Sequence, residues 1–151
     1  MSGRFLSWLA IGLWVATLLG GGVMFVRGNT QPSRDGRLTV ILNAEERELV
    51  LKEMRQLLVA VQTISVGLSE RNTRIVQEAA RTVGMAAVQG VPPGAMLKLP
   101  AEFKHMGLEI HKAFDEIGDI ADRVEALDGV QKRMGSLLGM CVACHNTYRF
   151  K

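Results

Sequence analysis

The sequence predicts an all-α protein: an antiparallel four-helix bundle carried behind an N-terminal transmembrane helix. Three observations lead there. An uncharged apolar run occupies residues 5–26, apolar residues recur at steps of three and four through the rest of the chain, and no stretch alternates as a strand would. The composition agrees, with 48% hydrophobic residues but only 5% aromatic ones, as in helices built from Leu, Val, Ala and Met.

The apolar run, FLSWLAIGLWVATLLGGGVMFV, would be roughly 33 Å long as a helix, enough to cross a bilayer. No small-x-small cleavage site follows it, so residues 1–27 are read as an uncleaved anchor rather than a cleaved signal. Gly12, Ala16 and Gly20 form a small-residue stripe that would let two such helices pair as a homodimer, although small residues are common in membrane spans. Arg4 lies on one side of the span and Arg27, Arg34 and Arg37 on the other, so charge bias does not settle the orientation.

Residues 28–42 are polar, contain Pro32 and two glycines, and read as a flexible linker. The bundle is expected over 43–151. Asn43 and Glu46 have the form of a capping box opening the first bundle helix, which carries Leu51, Met54, Leu58 and Val61 and fades near Leu68. Ser69 is placed to cap a second helix reaching about Gln89, where Gly90 and VPPGA stop it. Pro100 suits the first turn of a third helix, with a seam from Phe103 through Ile110 and Phe114 to Val124 and Leu127. Asp128 then caps a fourth, with Val130, Met134, Leu137, Cys141, Cys144 and Tyr148.

The formal charge is +3, and without Arg4 and Arg27 the count is 16 basic residues against 15 acidic. That balance argues against nucleic acid, whose phosphates call for a clear basic surplus. No catalytic set of nucleophile, base and oxyanion donors appears, so no conventional enzyme is expected.

The chemistry concentrates in CVACH, which holds the only two cysteines, Cys141 and Cys144, followed by His145. A structural zinc site needs four ligands, and His105 and His111 are poorly spaced to complete one. A thioredoxin-like dithiol belongs at the start of a helix after a strand, not late in the last helix of a helical chain. Cys-x-x-Cys-His is the spacing of covalent c-type haem attachment, in which the histidine becomes an axial iron ligand. One haem c is therefore expected, with the bundle on the outer, periplasmic face of a bacterial inner membrane. Six residues follow His145 and none is a methionine, so any second ligand must come from an earlier helix.

A haem motif on the fourth helix of a bundle, written CVACHNTYR, resembles the class II c-type cytochromes, meaning cytochrome c′ and the low-spin cytochrome c556 group. The resemblance covers residues 44–150 and is specific only at the C-terminus. It implies that Cys141 and Cys144 hold the haem, that His145 ligates, and that Arg149 is the basic residue near the proximal histidine. In the first helix, Arg55-Gln56 matches a frequent family pair, which places Val59 over the iron and Arg55 near a propionate. With Val59 there, the iron would be five-coordinate and open to NO or CO. Met54 lies about 140° around the helix from Val59, so a different register would make Met54 the second ligand of a six-coordinate iron. Its plainer role is core packing. The membrane anchor departs from the usual soluble member.

His111 is expected at the edge of its seam, where it could meet a propionate or simply face solvent, and His105 at the surface. Seven acidic residues between Glu109 and Asp128 could dock a basic redox partner or form an ordinary solvated face. The functional expectation is single-electron transfer by a tethered monohaem cytochrome. Gas binding at an open iron, and a structural or signalling role in a membrane assembly, are the alternatives.

Overall fold

A computed structural model describes residues 3–90 and 92–151. Met1 and Ser2, at the start of the expected anchor, and Val91, in the VPPGA break, lie outside the described residues.

The apolar run folds as one continuous helix, α1 (Gly3–Arg27), and no residue in its window of highest hydropathy is buried. It is long and apolar enough to span a membrane. Gly28 ends it at φ +63°, with its amide donating to the Met24 carbonyl at 2.8 Å. A Cβ here would lie 2.7 Å from the Leu99 carbonyl carbon and closer still to Lys98 and Pro100, so conformation and space both require glycine.

The chain beyond Gly28 is ordered, contrary to the flexible linker expected there. Strand β1 (Thr30–Pro32) pairs antiparallel with β2 (Leu38–Val40), and β2 pairs parallel with β3 (Tyr148–Phe150). These strands have three residues each, too few for alternation to register, and one partner comes from the far end of the chain.

Helix α2 (Ala44–Ser69) begins with both halves of the capping box: Glu46 N donates to Asn43 Oδ1 at 2.8 Å, and Asn43 N donates to Glu46 Oε2 at 2.9 Å. Helix α3 (Thr73–Thr82) is capped by Asn72, not Ser69. It also stops short of Gln89. Gly84 lies directly against the Asp115 carboxylate, which accepts the Met85 amide at 2.9 Å, and a 3-10 turn follows over Met85–Gly90. A short helix α4 (Pro93–Lys98), read in the sequence as loop, leads to α5 (Ala101–Ile120), with Pro100 at its N-cap. The expected third-helix seam breaks after Ile120. Val124 falls in an exposed 3-10 turn and Leu127 opens α6 (Leu127–Thr147), with Asp128 in its first turn rather than capping it.

Helices α2, α3, α5 and α6 share one apolar core, with Ile64, Val76, Phe114, Ile117, Val130 and Leu137 fully enclosed. Each such side chain contributes about 1.5–3 kcal/mol by burial. A second cluster joins Val40, Leu42, Val50, Leu99, Phe103, Cys144 and Tyr148, with Met54, Met96, Met106 and Phe150 against it. Helix α2 packs closely on α3, α3 on α5, and α5 on α6, whereas α2 and α6 meet along only a short stretch.

Candidate functional site at the facing flanks of α2 and α6

The sparse contact between α2 and α6 matters because the cysteines lie beside it. A groove there is lined by Ser65 and Leu68 of α2 and by Met134, Gly135 and Leu138 of α6. The two helices run antiparallel, since Leu42, just before α2, donates its amide to the Lys151 carbonyl beyond α6. Met54 stands eleven residues before Ser65, which at about 100° per residue returns it to within about 20° of the same flank. His145 stands seven residues after Leu138, again within about 20° of it. Met54 and His145 thus project from the two facing flanks, both displaced from the groove toward the same end of the helices.

Cys141 is partly buried and packs against the four-helix core together with Met54 and Met140. Cys144, one turn on, is 5% exposed inside the second cluster, which Met54 also touches. Both thiols are free. Burial pushes both above their ordinary pKa, and for Cys144 the neighbouring Cys141 adds to the effect. Neither thiol is therefore activated in the way a lowered pKa would activate a dithiol pair. No group of three or more His, Cys, Asp or Glu side chains converges as a metal site among the described residues.

His145 is exposed, and no described residue hydrogen-bonds its ring, while its carbonyl accepts a bond from Arg37 Nη1 at 3.4 Å. The donor types gathered here are two unpaired thiols one turn apart, an adjacent imidazole whose ring no described residue hydrogen-bonds, and a thioether on the opposite flank.

The other expected site residues lie elsewhere. Val59 is 63% exposed and lines a groove between α2 and α3 with Gln62, Ile75 and Ala79, about 120° around α2 from Ser65. Arg55 lines the same groove and pairs with Glu48. Arg149 sits on β3 and binds Ser33 Oγ at 3.2 Å and Asp35 at 3.5 Å, tying the C-terminal strand to the β1–β2 turn. Asp35 is held well below the usual carboxylate range, chiefly by Arg37.

His111 is buried rather than at a solvated edge. Its Nδ1 faces the Val83 carbonyl at 2.7 Å, and its Nε2 lies 3.1 Å from Glu53 of α2. Burial alone would lower its pKa, but Glu53, the Val83 carbonyl and Asp115 outweigh it and the net direction is upward. The sequence signal for this pair was Glu53 itself: a carboxylate four residues before buried Leu57 needs a partner. His105 is exposed, as expected. The acidic run is largely engaged within the chain: Glu109 pairs with Lys112, Glu116 with Arg133, Asp119 with Arg81 and Asp122 with Arg123.

No protein-family model matches the chain, and no curated protein or solved structure resembles it at a significant level.

Proposed function

We propose that this chain is a membrane-tethered monohaem c-type cytochrome that carries single electrons on the periplasmic side of the bacterial inner membrane. In this reading α2, α3, α5 and α6 are a four-helix bundle of the class II type and α1 is the anchor. The observation that carries the reading is the juxtaposition of CVACH with Met54 across the weakly packed α2–α6 flank. Cys141 and Cys144 would hold the cofactor through thioethers, and His145 and Met54 are the side chains that would ligate its iron. Bound there, a haem supplies an iron that accepts and releases single electrons.

The residues of this chain would do the rest. The Met- and Leu-rich lining around Cys144 excludes water. The Arg37 bond to the His145 carbonyl and the β2–β3 pairing fix the end of α6. The exposure of His145 leaves one edge of the site open to a redox partner protein. The position of Val59 on the α2–α3 side lends no support to the open-iron, NO- or CO-binding alternative.

Haem staining after denaturing electrophoresis tests attachment. Colour is expected to migrate with the full-length chain and to disappear when Cys141 and Cys144 are both replaced by Ser. Colour lost from the unsubstituted chain on denaturation would remove covalent haem from the account.

A further inference from the structure

Beside the flank of α2 that carries Met54 lies a second, half-open cavity of about 250 Å³, between α2, α4, α5 and the turn at Met85–Gly90. We propose that it binds a neutral, lipid-soluble ring compound of the quinone class in its reduced, hydroquinone form, taken from the membrane that α1 would cross. The proposal stands whether or not the cysteines carry haem.

Size, lining and position carry the argument. Most pockets for drug-sized ligands run to roughly 300–1,000 Å³, so this one suits a single ring. Its walls include Val50, Met54, Met96, Leu99 and Phe103, an apolar and partly thioether surface that accommodates a planar ligand. At one side stands buried His111, paired with the partly exposed Glu53. Both His111 nitrogens are engaged, whereas Glu53 uses only Oε1, and its Oε2 has no partner among the described residues. That oxygen can accept a hydrogen bond from a ring hydroxyl.

The charged groups are mostly committed already. Glu46 is held by Lys98 at 2.7 Å, and Lys104 donates to the Phe25 carbonyl at 3.3 Å. Glu46 and Glu53 in the walls are matched by Lys52 and Lys104, so the lining has no formal net charge and suits a neutral ligand.

The cavity also adjoins the base of α1. Lys104 lines it and lies 3.9 Å from the Phe25 ring centroid, and α4, which supplies Ala95 and Met96, runs into the segment against Gly28. A ligand leaving a bilayer beside the end of α1 would therefore emerge close to the cavity. Met54 lines the cavity and packs against the Cys144 cluster, so an occupant would rest against the side chain that separates it from the cysteines.

The test uses the full-length protein in phosphatidylcholine–phosphatidylglycerol nanodiscs and an aryl-azide benzoquinone with a short isoprenoid tail, with ascorbate holding it and its competitor in the hydroquinone form. Light-driven labelling is expected in peptides spanning 46–57 and 95–111, and excess decyl-benzoquinone should displace it. Gly107 lines the cavity and a Cβ on it meets nothing within 4 Å, so Gly107→Leu should fill the space and cut labelling about tenfold. Should that variant fail to fold by circular dichroism, displacement on the unsubstituted protein decides alone. Labelling confined to α1, labelling that decyl-benzoquinone does not displace, or equal displacement by lauric acid would each overturn the proposal.

Discussion

The two apolar clusters of this protein are built by different rules. The larger one draws aliphatic and aromatic side chains from four long helices, and every helix contributes residues at regular steps. The smaller one gathers β2, the start of α2, the end of α4, the start of α5 and the C-terminal segment, and it holds Cys144, Tyr148 and several methionines. The first needs only helical periodicity. The second needs both ends of the chain to meet, and chemistry-bearing residues are placed where the ends meet.

That contrast predicts unequal responses to truncation. Phe114 is fully buried in the larger cluster, and Phe114→Ala is expected to cost about 3–5 kcal/mol in chemical denaturation. Phe103 stacks edge-on against Tyr148 and Phe150, with ring centroids 5.3 Å and 5.5 Å away. Phe103→Ala should release amide protection at residues 148–150 while α3 and the middle of α5 keep theirs. Equal loss of protection throughout would show that the two clusters are one cooperative unit.

A second prediction probes the boundary between them. His111 has a raised pKa, so its bond to Glu53 stabilises the fold fully below the ordinary value of 6.5. That contribution is lost as pH rises through the raised folded value. The thermal midpoint should therefore fall as pH rises from about 6.5, and His111→Gln should flatten that part of the profile. An unchanged slope in the variant would remove the pair as the cause.

The smallest effect is expected at the start of α2. Asn43→Ala removes one half of the capping box and should cost about 1 kcal/mol. A loss no greater than a few tenths would mean that tertiary contacts alone hold this end of the helix.

Legibility in the sequence follows the same division. The capping box at Asn43, the span of α2, the seam from Phe103 to Ile117 and the apolar N-terminal helix could all be read from local pattern. The three-residue strands could not, because each is too short for alternation to register and β3 pairs with β2 across more than a hundred positions. The early end of α3 was hidden for a similar reason: Asp115, thirty residues away, captures the Met85 amide. At the site, spacing drew attention to CVACH and left two candidates on α2. Helix packing separates them, with Met54 on the α6 flank and Val59 on the α3 side. Only the helical phase relative to a neighbour carries that information, and one helix in isolation does not contain it.

The most direct test of the account is the absorption spectrum of the reduced protein, with and without CO, for the unsubstituted chain and for Met54→Leu. The account predicts a sharp low-spin spectrum that ignores CO in the first and a high-spin, CO-sensitive spectrum in the second. A haem-free spectrum, or one that shifts with CO while Met54 is intact, would contradict it.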